Sequence, residues 1–248
     1  MNETDTLTNL DQEQLLEFAL DGFRRILMHY GFWFNEVSHQ LGFETASAIE
    51  QTVGSKALAI NMKRLAKLLG FEVDDKGIPT ALRQLPRNDL ITLINSLGLN
   101  WLANDGVWFQ AVETSQEMFT AKRCNDSCWT RFSPYEAYRI KQLLDLPQSP
   151  GIKGLAQALS FRMYARINQQ TIEVVDDSHL IFRMVDCRVQ SARKKKGLQD
   201  YPCKSAGLVE YSTFARSIDS RITTECIACP PDEHPEQWFC AWNFQMPE

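Results

Sequence analysis

The five cysteines in the last quarter of the chain are the residues best suited to carry chemistry. The first 123 residues contain no cysteine at all. Cys226 and Cys229 form a C-x-x-C pair, a spacing that lets both sulfurs reach one ion, and zinc and iron prefer thiolate ligands. The other candidate metal ligands are Cys187, Cys203 and Cys240. We therefore predict a transition-metal site, with zinc or iron, formed by these cysteines.

Other interpretations of the same cysteines stay open. Free cysteine is also a good small core residue, and Cys240 alternates with the aromatic residues Trp238 and Trp242. A cysteine of low pKa, or a metal-bound water, would instead make the chain an enzyme that attacks a small molecule, such as a hydrolase. A third interpretation is a helical scaffold with structural cysteines. The residues leave open whether the chain is an enzyme, and no catalytic residue is singled out.

Polar residues near these cysteines are candidates for ligand binding. Arg188, Arg193 and Lys204 belong to the basic cluster beside Cys187 and Cys203, which forms either a site for a carboxylate or phosphate or a solvated helix face.

Asp219 flanks a predicted strand and could orient a bound water. His234 follows Cys229 in a proline-rich loop and is either a further metal ligand or a solvated loop histidine. Cys124 and Cys128, at i and i+4 of a predicted helix, are interpreted as core residues.

An α+β domain over residues 155–248 is predicted to position the cysteines. A leading helix at 155–166 follows a linker at 147–154, which is rich in proline and glycine. Alternating apolar residues predict four strands. Their ranges are 170–176, 179–187, 221–228 and 237–244. Helices near 188–196 and 204–217 lie between the two hairpins, so we expect one four-stranded antiparallel sheet with helices on one face.

Residues 1–146 are predicted to be helical and duplicated. When the chain is shifted by 75 positions, residues 7–71 resemble residues 82–146, and the G-x-W-F-x-x-V segments at 31–37 and 106–112 fall on each other. Asp11 is expected to cap the first helix and Gly70 to end the second. Gly98 is expected to close one helix of the second copy. Ser133, followed by proline, is expected to start the next helix.

The aromatic pairs of the two repeats allow two interpretations. Trp33 and Phe34 correspond to Trp108 and Phe109 in the second copy. They could line a pocket between the repeats, or they could form an aromatic core that recurs because the unit recurs. We favour the recurring core.

Composition limits the partners of this chain of 248 residues. The net charge of −5 argues against a general nucleic-acid binder, and no apolar segment reaches the roughly 20 residues that a membrane span needs. The N-terminus lacks the pattern of a secretory signal, so we expect a cytoplasmic protein with reduced cysteines. A small molecule is the expected partner, and the composition is compatible with a homo-oligomer.

Several segments resemble a family of uncharacterised cytosolic proteins of anaerobic bacteria and archaea, which share a domain of unknown function. The segments are 105–109 (DGVWF), 187–193 (CRVQSAR), 201–204 (YPCK), 226–232 (CIACPPD) and 240–242 (CAW). More distantly, the tail is similar to 4-vinyl reductase-type domains and to the L-2-amino-thiazoline-4-carboxylic acid hydrolase-like family. The first likeness implies binding of a small ligand or metal, and the second implies hydrolysis of a small heterocycle. Neither likeness supplies a catalytic residue.

Overall fold

A computed structural model describes residues 6–195, 197 and 200–247. The chain divides into two compact units, Met1–Gln84 and Leu85–Glu248. The second helical repeat therefore belongs to the same unit as the cysteine-rich residues. The boundaries predicted from composition, at 146 and 155, fall inside this second unit.

The first unit is a helical hairpin. Helix α1 (Gln12–Leu41) begins at Asp11, whose carboxylate accepts a hydrogen bond from the backbone N–H of Gln14, and the Gln14 side chain accepts one from Asp11 in return. Helix α2 (Phe43–Leu69) ends at Gly70, which adopts the left-handed conformation with φ of 76°. Both ends agree with the sequence prediction. A short helix, α3 (Thr80–Arg83), follows a turn in the connector.

The second unit starts with a hairpin of the same dimensions. Helix α4 (Arg87–Gln116) has the bounds of α1 shifted by 75 positions, and α5 (Met118–Leu143) begins 75 positions after α2. The predicted duplication of a helical unit is confirmed. Residues in corresponding positions therefore have the same place in each hairpin.

Two predicted helix boundaries in the second repeat are wrong. Gly98 lies in the middle of α4, where a Cβ would be only 3.0 Å from Arg166 Cβ, so its glycine serves close packing rather than a helix end. Ser133 and Pro134 lie inside α5. The helix continues through the proline because neighbouring side chains are held in the core, which outweighs the loss of one backbone hydrogen bond.

The cysteine-rich part of the second unit is an α+β layer, as predicted. Helix α6 (Gly151–Leu159) and a 3₁₀ turn (Met163–Arg166) lead into the sheet. The predicted linker thus contains the first residues of α6, because Ile152 and Gly154 are buried against the core.

The strands are β1 (Gln169–Val174), β2 (His179–Asp186), β3 (Thr223–Ala228) and β4 (Cys240–Gln245). Helices α7 (Arg188–Lys195) and α8 (Lys204–Ile218) lie between the two hairpins, and Lys196, in the predicted helix 188–196, lies outside the described residues.

The four strands form one antiparallel sheet in the order β1-β2-β4-β3. Its buried face packs on α8: the Tyr211 ring stacks on Trp242 with centroids 4.7 Å apart, and a Cβ on Gly207 would lie 2.5 Å from the Trp242 ring. Helix α5 packs along the other side of α8. The core therefore runs continuously from the sheet through α8 to the second repeat. Among the described residues, no helix is both long and apolar enough to cross a membrane.

Candidate functional site

Three cysteines meet where the first turn of α8 approaches the end of β3. Cys203 is the N-cap residue of α8, Cys229 directly follows β3, and Cys240 is the first residue of β4. The Cys229 side chain is close enough to those of Cys203 and Cys240 for both to raise its pKa. We call Cys203, Cys229 and Cys240 the thiol cluster.

Backbone contacts hold the loop after β3 against α8 and so bring the cluster together. The Lys204 N–H donates to the Pro230 carbonyl at 2.9 Å, and Lys204 Nζ pairs with Asp232 Oδ2 at 2.8 Å. Asp232 in turn accepts from the Cys229 backbone N–H at 3.3 Å. The start of α8 and the end of β3 are therefore fixed by the residues that adjoin the two cysteines.

A buried glutamine positions Cys203 from a third element. Gln190 of α7 donates through Nε2 to the Tyr201 carbonyl at 2.8 Å and to Cys203 Sγ at 2.9 Å, and its Oε1 accepts from the Tyr201 N–H at 2.8 Å. Gln190 is fully buried, so these hydrogen bonds are protected from water. The sequence analysis missed Gln190. Gln190 lies in a helix rich in basic residues, and such a composition is typical of a helix exposed to solvent.

The surroundings lower the pKa of Cys203 and raise the pKa values of Cys187, Cys226 and Cys229. The pKa of Cys203 is lowered, first by the hydrogen bond from Cys229 and then by the charge of Lys122 and the hydrogen bond from Gln190. The pKa of Cys229 is raised, first by its interactions with the Cys203 and Cys240 thiols and then by burial. Burial raises the pKa of Cys187 to about 12 and that of Cys226 to about 11. Among these four thiols, Cys203 is therefore the first to ionise as the pH rises.

Cys187 and Cys226 lie beside the cluster rather than in it. Both are half-buried and pack against the same core as the cluster. An ionised Cys240 would raise the pKa of both thiols. As the side chains stand, no group of three or more histidine, cysteine or acidic residues within the described residues is arranged to hold a metal ion.

The polar residues predicted to bind a ligand are dispersed. Asp219 ends α8, at the opposite end from Cys203, and pairs with Arg221 at 2.7 Å. His234 Nε2 lies 3.0 Å from Asp200 Oδ2. Arg188 begins α7, where its backbone N–H donates to Asn168. Arg193 lies in the last turn of α7, whereas Lys204 holds the loop beside Cys229.

A buried ion cluster on the other side of α8 had no signal in the sequence. Arg162 Nε donates to Glu136 Oε2 at 2.9 Å, and Arg162 Nη2 lies 2.7 Å from Glu210 Oε1. All three side chains are buried, and the guanidinium lies 4.7 Å from the Phe214 ring centroid. Burial raises the pKa of Glu210 to about 7, although Arg162 opposes this shift. One arginine thus serves two carboxylates from α5 and α8.

Comparison with family models identifies this chain's relatives. A model described as "Family of unknown function (DUF6125)" matches residues 8–85 and again residues 83–246. The chain belongs to this family. The two DUF6125 matches divide the chain at the connector between the two helical repeats, which supports the duplication independently of the helix bounds.

The other comparisons add little. One solved structure that matches is the crystal structure of the phenol-responsive sensory domain of the transcription activator PoxR with phenol. It is 13% identical, with 62% of this chain and 74% of that chain covered and a TM-score of 0.40. A likeness at this level carries no functional argument. No curated protein matches the chain.

Proposed function

We propose that this DUF6125 chain binds a soft transition-metal ion, zinc or iron, through the thiol cluster. The convergence of Cys203, Cys229 and Cys240 at the start of α8 and the end of β3, where Cys229 interacts with the other two thiols, is the observation that carries the proposal. Cys226 or Cys187, which pack against the same core, would supply a fourth sulfur. Tetrahedral sulfur sites draw their ligands from a few chain segments in this way.

The electrostatics support one early ligand and several that must lose a proton. A metal binds thiolate, so the lowered pKa of Cys203 makes it the first ligand. The raised pKa values of Cys226 and Cys229 mean that a metal must displace their protons. Metal affinity is therefore expected to rise with pH across the neutral range, because fewer protons compete at higher pH.

Metal content tests the proposal directly. Protein purified without oxygen or chelator should contain about one zinc or iron ion per chain by elemental analysis, because one cluster holds one ion. Cys203→Ser and Cys229→Ser should each lose most of this metal and lower the melting temperature. Cys124→Ser is the matched control, because Cys124 is an exposed thiol on α5, and it should retain the metal.

Two experimental results would contradict metal binding. A metal-free chain that takes up no zinc when titrated in the presence of a weak chromogenic chelator does not carry the site. Equal metal content in Cys203→Ser and Cys124→Ser would also contradict the proposal, because the metal would then be bound elsewhere.

A second candidate function is a dithiol–disulfide couple. It is favoured by the direct contact of Cys203 with Cys229 and by the absence of a ready metal arrangement among the described residues. The Cys203 thiolate would attack a small disulfide such as oxidised glutathione and expel one thiolate. Cys229 would then attack the mixed disulfide and release the second thiol. Mass spectrometry of the treated protein distinguishes the candidates, since this couple loses two hydrogen atoms and bound zinc would prevent the loss.

A further inference from the structure

A pocket of about 440 Å³ lies between α4 and α5, away from the thiol cluster. Five of its twelve lining residues are aromatic. They are Trp101, Trp108, Phe109, Trp129 and Phe132. Several pack against one another, so Trp101 stacks on Phe132 with centroids 5.7 Å apart and meets Trp129 edge-on at 5.9 Å. The aromatic pairs of the repeats thus line pockets, in contrast to the recurring core that the sequence favoured.

One acidic side chain stands in this aromatic wall. Asp105 of α4 is half-buried, and burial raises its pKa. Asn125 Nδ2 donates to Asp105 Oδ1 at the long distance of 3.5 Å. Within the described part of the chain no cationic side chain forms an ion pair with Asp105, so its carboxylate is desolvated with little compensation.

The first repeat has an equivalent pocket with a different pair of polar side chains. This pocket, of about 480 Å³, lies between α1 and α2, and subtracting 75 from the residue numbers of the α4–α5 pocket gives eleven of its twelve lining positions. At the positions of Asp105 and Asn125 it has Tyr30 and Glu50, and the Tyr30 hydroxyl donates to Glu50 Oε1 at 2.9 Å. The second copy therefore differs by placing an aspartate, rather than a tyrosine, at this position of its first helix.

From this arrangement we infer that the α4–α5 pocket binds a small organic cation, with its charge on Asp105 and its apolar body against Trp101, Trp108 and Phe132. The faces of aromatic rings attract cations, and indole does so most strongly. A neutral apolar ligand would bury Asp105 further without a partner, which costs free energy. An anion would be repelled by the same carboxylate, so an amine or a quaternary ammonium fits both features of the wall.

The inferred site is independent of metal binding. Phe109 contacts Tyr201 edge-on at 5.5 Å, and Tyr201 adjoins the cluster through its carbonyl. The pocket wall itself contains Cys124 and Cys128 but none of the thiol cluster. Cys203→Ser should therefore leave cation binding unchanged, which separates failure of this inference from failure of the metal proposal.

Calorimetric titration of the full chain with phenyltrimethylammonium tests the inference, with benzyl alcohol as a neutral aromatic probe. The cation should bind saturably and more tightly than benzyl alcohol. Asp105→Asn should weaken cation binding by about tenfold, which corresponds to one modest charge contact, and should leave benzyl alcohol binding as tight or tighter, because no carboxylate is then buried. Trp108→Ala should weaken cation binding by about threefold, the size of one cation–π contact.

The first repeat supplies matched controls. Trp33 and Trp108 are 61% and 62% exposed, so Trp33→Ala removes an equivalent indole with equal risk to folding. Trp33→Ala and Glu50→Gln should leave cation binding unchanged. The inference is overturned if phenyltrimethylammonium shows no saturable binding below about 10 mM. A dissociation constant of that size corresponds to a binding free energy of little more than about 2.5 kcal/mol. It is also overturned if Asp105→Asn binds the cation as the wild-type chain does, or if benzyl alcohol binds equally well.

Discussion

Arg162 shows how much one buried residue organises the second unit. Its guanidinium joins Glu136 of α5 to Glu210 of α8, and the Met163 N–H adds a hydrogen bond to Glu136 Oε1 at 2.7 Å. Two carboxylates share one positive charge in a site without water, so full ionisation leaves a net buried charge. A proton on Glu210 removes that charge; burial is the main cause of its pKa of about 7, and the Glu136 carboxylate raises the pKa further.

The raised pKa of Glu210 predicts a specific pH dependence of stability. The ordinary value is 4.5, so between about pH 4.5 and 7 the folded chain holds a proton that the unfolded chain has lost. The contribution of Glu210 is therefore complete at low pH and is lost as the pH rises through 7. It amounts to at most about 3 kcal/mol.

Urea unfolding at pH 5 and pH 8 checks this dependence. Glu210→Gln, which cannot titrate, should lose the part of the pH dependence that Glu210 contributes, whereas Glu173→Gln on the exposed edge strand should keep the wild-type profile. If Glu210→Gln and the wild-type chain change in parallel with pH, Glu210 is ionised throughout and the assignment fails.

The candidate site was only partly accessible to sequence reasoning. Counting cysteines identified Cys203 and Cys229, because clustering along the chain is visible in one dimension. Gln190 and Arg162 were not identified, since their partners come from other elements and each residue type is ordinarily exposed. A polar residue becomes significant here only when folding buries it.

At the scale of elements, periodicity and caps predicted most helices and strands. Asp11 and Gly70 act as expected because capping depends on neighbouring residues alone. The errors at Gly98 and Ser133 have one cause. Both residues pack against segments distant in the sequence, and such packing overrides local signals for a helix end.

The joint between the two helices of each hairpin carries a testable difference. Gly42 joins α1 to α2 with φ of 86°, and the equivalent Glu117 joins α4 to α5 with φ of 131°. Such positive φ values suit glycine and strain residues that have a Cβ. Glu117→Gly should therefore stabilise the chain by about 1 kcal/mol, and Gly42→Ala should destabilise it by a similar amount.

Chemical denaturation of these two variants measures the opposing shifts. The comparison is internal, because both residues occupy the same position of the repeat. A Glu117→Gly variant less stable than the wild-type chain would show that the Glu117 side chain contributes more than its backbone costs.

At the scale of the whole molecule, the two units differ sharply in how much they bury. In the described residues of Met1–Gln84, the buried side chains are Ala46, Ser47 and Ala66, and α1 buries none. The second unit contains the continuous core of large apolar side chains that runs from α5 to the sheet. The two equivalent hairpins are therefore stabilised unequally, because the second packs on the α+β layer of its own unit.

This inequality predicts which part of the chain folds alone. A fragment of residues 85–248 should keep its far-ultraviolet circular dichroism and unfold cooperatively, because its core lies within the fragment. A fragment of residues 1–84 should be largely unstructured or aggregate, since helices without a buried apolar face are marginal in water. Thermal melts of both fragments and of the full chain provide the measurement. If the larger fragment melts more than about 10 °C below the full chain, a loss well beyond 1 kcal/mol, its stability depends on the first unit and the prediction fails.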